Sequence, residues 1–169
     1  LSGIPRKIGD LIFAYFDDDS MHLNVLRAIS AGVEVSKLNE AMNLSSSRKP
    51  INRYILISAG EAMVGNFGGL DTSVEITALG TPVNFLSRVD DLTKSPKIAS
   101  ILCSGDLLLS EEAKSIIDQL ELNLPFEHID LEKLDLSIRD FPETKNIYKL
   151  TPDPEMDALL NVVLSKVTT

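Results

Sequence analysis

Cysteine is almost absent from this sequence. Cys103 stands alone among 169 residues, so an intrachain disulfide is impossible and a reducing compartment fits. Cys103 lies in Ile101-Leu102-Cys103-Ser104 and reads as a small buried hydrophobe. Long apolar runs are also lacking. None reaches the ~20 residues of a membrane-spanning helix, and no signal-peptide pattern opens the chain. A soluble, cytoplasmic domain with no direct membrane insertion is expected. Basic clusters are missing too: Arg6–Lys7 and Arg48–Lys49 are isolated pairs in a chain of net charge −9. Nucleic-acid binding draws on a basic face that neutralises phosphates, so no nucleic-acid partner is expected. No Gly-x-x-x-x-Gly-Lys loop occurs, which excludes P-loop chemistry. His22 and His128 are isolated from any metal-ligand or triad spacing. There is no internal repeat and no low-complexity segment.

What is present is an ordinary globular balance, with 44% hydrophobic and 24% charged residues. The length suits one domain over residues 1–169, with residues 151–169 as a C-terminal helical extension. Leu11–Phe16 reads as a strand after a turn at Lys7–Asp10. Asp17-Asp18-Asp19-Ser20 ends it and caps a helix from Met21 to Met42, the acidic run suiting the positive end of the helix dipole. Arg53–Ser58 reads as a strand, and Gly60, Gly65, Gly68 and Gly69 punctuate a hairpin that returns through Val74–Leu79. Thr81-Pro82 opens a helix to Leu92, with Thr81 as N-cap and Pro82 in the first turn. Ile98–Cys103 reads as a strand, Ser110–Leu120 as a helix and Phe126–Leu131 as a short strand. Leu136–Ile138 and Asn146–Leu150 read as a closing hairpin, and Asp153–Lys166 as an amphipathic helix. This order implies an α+β fold with helices covering a mainly antiparallel sheet.

One stretch carries chemistry. Asn84 and Arg88 stand four apart in the helix that Thr81-Pro82 opens, so they project from one face. They lie near its N-terminus, where backbone N–H groups attract anions. Arginine offers a planar fork for phosphate, and asparagine offers both a donor and an acceptor to a hydroxyl. The alternative is a solvent-exposed polar stripe.

The surrounding run is Ile57-Ser58-Ala59-Gly60-Glu61-Ala62-Met63-Val64-Gly65-Asn66-Phe67-Gly68, then Thr77-Ala78-Leu79-Gly80-Thr81-Pro82-Val83-Asn84-Phe85-Leu86-Ser87-Arg88. It resembles the signature of class III adenylate and guanylate cyclases: a strand, a glycine, a Gly-Asn-x-Gly turn, a returning strand, then Gly-x-x-Val-Asn-x-x-x-Arg. Lys7-Ile8-Gly9-Asp10 is similar to the family's Lys-x-x-Gly-Asp turn. Ile138-Arg139-Asp140-Phe141-Pro142-Glu143, with Ile147-Tyr148-Lys149-Leu150, resembles its C-terminal hairpin. The resemblance runs to about Leu150.

The resemblance implies a ferredoxin-like nucleotidyl cyclase fold and the conversion of ATP to 3′,5′-cyclic AMP and pyrophosphate. It implies that Asp10 is the second of two aspartates holding a pair of Mg²⁺ or Mn²⁺ ions. It implies that Asn84 orients the ribose, that Arg88 stabilises charge on the α-phosphate, and that Arg139 binds the terminal phosphates. Thr77 and Arg6 fall at the purine-reading positions. Sites of this family form between two domains packed head to tail, which implies a homodimer and fusion to a signalling domain.

Three positions depart from the pattern. The Phe-x-Asp-x-x-Gly-Phe motif that carries the first metal aspartate is missing, so its strand is expected upstream of Leu1. Arg6 stands where adenylate cyclases have Lys, and Glu75 shares a strand face with Thr77; both leave a guanylate cyclase open. Tyr54 stands where active members often have a phosphate-binding arginine, with Arg53 one residue off and on the other face. A degenerate cyclase fold that only binds nucleotide or dimerises also stays open.

Overall fold

The computed structural model describes residues 3–8, 11–66 and 76–167, and the side chains of residues 6–8, 76, 77 and 167 lie outside that description. β1 (Ile4–Ile8) and β2 (Leu11–Tyr15) form an antiparallel hairpin with Ile4 opposite Tyr15. The sequence reading found only the second of these strands. α1 (Met21–Ser45) follows, capped by Ser20, whose Oγ accepts from the Leu23 N–H at 3.3 Å. The acidic run precedes the helix: Asp18 pairs with Arg27 one turn into α1.

β3 (Ile55–Ile57) enters the main sheet. β4 (Met63–Asn66) and β5 (Ile76–Leu79) form a second antiparallel hairpin, with Gly65 opposite Thr77. α2 (Thr81–Thr93) and the single turn α3 (Pro96–Ala99) lead to β6 (Leu107–Leu109). α4 (Glu111–Asp118), β7 (Glu127–Asp130), β8 (Asn146–Leu150) and α5 (Pro154–Val167) complete the described chain.

The main sheet has the order β3-β6-β8-β7. β3 and β6 run parallel, whereas β6–β8 and β8–β7 are antiparallel. With both hairpins antiparallel, the architecture is the expected mainly antiparallel α+β arrangement. Strand alternation sorts the side chains to two faces. Ile55, Ile57, Leu107, Leu109, Tyr148 and Leu150 face α1, α4 and α5. Tyr54, Leu56, Leu108, Ile129 and Ile147 face α2 and α3. Helices thus cover both faces. β6 is buried along its whole length, as a central strand between two helical layers must be.

Two expected strands do not form. Ile98–Cys103 is not a strand: Ser95 precedes a helical turn that Pro96 opens. Ile98 and Leu102, four apart, both bury against α2 and the sheet, so their period was helical. The strand is instead Leu107-Leu108-Leu109, a run too short and too uniformly apolar to show alternation. Gly105, at φ +96°, makes the turn into it, a backbone conformation that glycine adopts without a Cβ clash. Cys103 is exposed because the turn carries it outward, contrary to the buried reading. Leu136–Ile138 is not a strand either. Ile138 makes only an isolated bridge to Phe141, and the antiparallel partners of β8 are β6 and β7.

Among the described residues, no helix is long and apolar enough to cross a membrane.

Candidate nucleotide site on helix α2

α2 is positioned by what it buries. Phe85, Val89 and Leu92, at i, i+4 and i+7, form its inner stripe. Burying such a side chain stabilises by about 1.5–3 kcal/mol relative to exposure. Its N-terminus is fixed by a close approach. A Cβ on Gly80 would lie 2.9 Å from the Glu61 carbonyl oxygen and 3.0 Å from Ala62 Cα, both backbone atoms, so only glycine fits. Gly80, not Thr81, is therefore the N-cap residue, and Thr81 is the first helical residue. The Asn84 N–H donates to the Gly80 carbonyl at 3.1 Å. Just past β3, the Ser58 hydroxyl donates to the Pro82 carbonyl at 2.8 Å. These contacts tie the helix entrance to the strand ahead of the glycine turn.

With the inner stripe buried, the outer face is determined. Asn84 is exposed and Arg88 half-buried. Asp140, in the loop after β7, meets Arg88: one carboxylate oxygen accepts from Nε at 2.8 Å and from Nη2 at 2.7 Å. Arg139, next in that loop, lies 3.9 Å from the same oxygen and 3.9 Å from Asp91 on α2. Lys94 donates to Asp90 at 2.9 Å and Asp91 at 3.2 Å. Those two bonds, the one from Asp90 first, raise the Lys94 pKa above its ordinary value. The loop is anchored through Ile138, which is buried, and Phe141, whose ring stacks edge-on against Phe85 at 5.3 Å. An open groove of about 360 Å³ lies between, lined by Arg88, Asp91, Lys94, Ser137 and Arg139 among others.

The structure therefore brings Arg88 and Arg139 together, with Asn84 one turn earlier on the same helix. Arg6 lies on β1 and Thr77 on β5, with side chains outside the description. Asp10 also lies outside the described residues. Among the described residues, no three His, Cys, Asp or Glu side chains converge into a metal site. They do not build a metal cage by themselves, and the metal expectation rests on Asp10. His22 meets Gln119, and His128 meets Asn146 and stacks on Tyr148, in keeping with structural roles.

No protein-family model matches the chain. Over 92 residues, 54% of the chain, it is 32% identical to "Adenylate cyclase, terminal-differentiation specific" of Dictyostelium discoideum, of which the match covers 4%. Over 94 residues it is 30% identical to "Adenylate cyclase" of Anabaena cylindrica, covering 18% of that protein. Among solved structures it matches the guanylyl cyclase Cya2 with a TM-score of 0.65 at 19% identity, covering 90% of this chain and 72% of that one. At that identity the likeness is one of fold.

The chain has the nucleotidyl cyclase fold. It spans under a fifth of either curated relative.

Sequence reasoning singled out Asn84, Arg88 and Arg139, but not Asp91, Lys94 and Asp140, which the structure sets beside Arg88 and Arg139. Asp91 was visible in principle, because it lies three residues after Arg88 and so on the same helical face. Asp140 stood inside the segment quoted for the resemblance, but its partner is 52 residues away, and no local pattern reports that. Tyr54 packs partly buried beside Leu56, whereas Ile55 and Ile57 on the alternate face meet α1. Position 53 falls on that second parity, so Arg53 does not replace the missing arginine from the Tyr54 side.

Proposed function

We propose that this domain converts ATP to 3′,5′-cyclic AMP and pyrophosphate, at a site completed by a second copy packed head to tail. The observation that carries it is the outer face of α2, where Arg88 lines a groove together with Arg139 and Asn84 is exposed one turn earlier on the same helix. The ribose 3′-oxygen attacks the α-phosphorus, the bond to the bridging oxygen breaks, the 3′-hydroxyl proton is released and pyrophosphate leaves. Asn84 orients the ribose through its amide. Arg88 meets the charge that develops on the α-phosphate, which is electrostatic stabilisation of the transition state. Arg139 holds the terminal phosphates. Asp10 would hold Mg²⁺ or Mn²⁺, which supplies charge neutralisation at the phosphates when bound.

The names of both sequence relatives support ATP, as does Thr77, a hydroxyl at the purine-reading position. Arg6 is the other position at which the resemblance reads the purine. A head-to-tail partner is supported by the hairpins, which expose Leu11, Ile12, Met63, Val64 and Leu79; apolar surface of this kind marks an interface. Residues 1–169 act as one catalytic unit of a larger cytoplasmic signalling protein.

Guanylate cyclase is the second reading, favoured by Arg6 in place of lysine and by the name of the structural neighbour. Turnover of ATP and GTP in Mn²⁺, with cyclic nucleotide quantified, decides between them. Cyclic AMP as the main product is expected. Predominant cyclic GMP would reverse the assignment, and no turnover by the full-length protein would leave the fold without this chemistry.

A further inference from the structure

Both arginines assigned to the phosphates are already engaged by carboxylates of their own chain. Asp140 holds Arg88 through two hydrogen bonds to one oxygen, at 2.8 and 2.7 Å, and that oxygen is 3.9 Å from Nε of Arg139. Asp91 takes the other side of Arg139 at 3.9 Å and a bond from Lys94 at 3.2 Å, while Asp90 takes a second bond from Lys94. Arg88, Lys94 and Arg139 are thus balanced by Asp90, Asp91 and Asp140. An arriving phosphate meets a neutral groove unless a carboxylate leaves it.

Asp140 is the one built to leave. Its side chain is 58% exposed, so swinging it into water costs little desolvation. Its backbone stays put: Ile138 is buried on one side and Phe141 is stacked on Phe85 on the other. Its φ of +69° is a left-handed conformation that aspartate and asparagine tolerate better than other side chains. The turn therefore presents the carboxylate, and only side-chain rotation is needed to withdraw it. Nε and Nη2 together form one edge of the Arg88 fork. Releasing that edge gives a phosphate a second bidentate face.

We propose that Asp140 is an intramolecular competitor for the substrate's phosphates: it neutralises Arg88 and draws on Arg139 in the empty groove, and it sets how tightly a multiply charged phosphate binds there. This rests on the assignment of Arg88 and Arg139 as phosphate-binding residues. A monoanion gains little over the resident carboxylate, whereas pyrophosphate or a triphosphate outbids it.

The test is calorimetric titration of inorganic pyrophosphate into the full-length protein at fixed ionic strength. Asp140→Asn keeps the left-handed turn and removes the charge; Asp140→Gly relaxes the turn as well, guarding against a folding artefact. Both should bind pyrophosphate about two- to fivefold more tightly than the parent, the upper part of the range an exposed ion pair supports. Glu143→Gln removes the same unit of charge from an exposed position in the same loop and should change binding less than twofold. In an Arg88→Ala background the Asp140→Asn gain should vanish. Binding unchanged or weakened in both Asp140 variants, or an equal gain in Glu143→Gln, overturns the competitor role while leaving the phosphate site standing. Absence of pyrophosphate binding in the parent and all variants overturns the phosphate assignment itself, and the competitor with it.

Discussion

The two faces of the four-stranded sheet are packed alike and finished differently. On one, α1, α4 and α5 bury Leu26, Ile29, Val33, Ile117 and Leu160 against Ile57, Leu107 and Leu109. On the other, α2 buries Phe85, Val89 and Leu92 against Leu108, Ile129 and Ile147. Both cores use the same period-two strands and the same helical stripes. The difference lies on the outward sides. The first face joins its helices through the ion pair of Lys37 with Asp157 at 2.6 Å. The second carries Asn84, Arg88, Asp91 and Lys94 on one helix and Arg139 and Asp140 on the loop pinned to it. A buried stripe on α2 thus aims a polar one, and the proposed site lies where the core stops.

Core truncations should hurt both faces but only one activity directly. Leu26→Ala opens a cavity in the first face and should cost about 2–5 kcal/mol, and Phe85→Ala in the second about 3–5 kcal/mol, read from urea unfolding. The comparison predicts a split in what remains folded. Phe85→Ala should lower turnover in the folded fraction, because Phe85 anchors Phe141 and with it Arg139 and Asp140. Leu26→Ala should leave turnover of the folded fraction within about threefold. Equal losses of specific activity would break the division between the faces.

Next in size is a variant that separates chemistry from stability. Arg88→Ala should lower kcat about 10²–10³-fold, the usual worth of one donor aimed at developing charge, with unfolding free energy changed by less than about 1 kcal/mol, since it is half-exposed and loses one surface pair. Asn84→Ala should fall in the same direction. A kcat within threefold of the parent in both variants would remove α2 from the mechanism.

How much of this was legible beforehand differs between the faces as well. The second face announced itself through Gly80, Pro82, Val83, Asn84 and Arg88, whose spacing is local and rigid. The pairing of Arg88 with Asp140 was not legible, because it joins residues that only the tertiary fold brings together. On the first face, α1 and α4 were read from capping signals: Ser20 and Ser110 both accept from an N–H three residues on. β6 was missed because Leu107-Leu108-Leu109, buried on both sides, carries no alternation. Ile98 and Leu102 were misread as a strand although Ser95-Pro96 marked a helix start. The cap at Ser110 gives a smaller test: Ser110→Ala should cost about 1 kcal/mol, seen as a lowered urea midpoint with unaltered activity of the folded fraction. A drop in kcat would show that α4, on the first face, communicates with the site.

The smallest effect is the pH signature of the clasp between α1 and α5. The hydrogen bond from Lys37, helped by Glu34 and Asn161 and opposed by burial, holds the Asp157 carboxyl below its ordinary 3.8. The same bond to Asp157 is the main cause of the Lys37 ammonium rising above 10.5. A lowered carboxyl contributes stability that is present above 3.8 and lost as pH falls through the folded value. A raised ammonium contributes stability that is present below 10.5 and lost as pH rises through its folded value. Both charges are therefore in place between 3.8 and 10.5. A double-mutant cycle of Lys37→Met and Asp157→Asn, followed by thermal unfolding across pH, should show a small, constant coupling through that window that closes below it. Arg88 and Asp140 on the second face have no part in this clasp, so the proposed activity of the folded fraction should not follow the coupling. A coupling that persists undiminished once Asp157 is protonated cannot come from the ion pair, and would mean that α5 docks on α1 through Met156 and Leu160 alone.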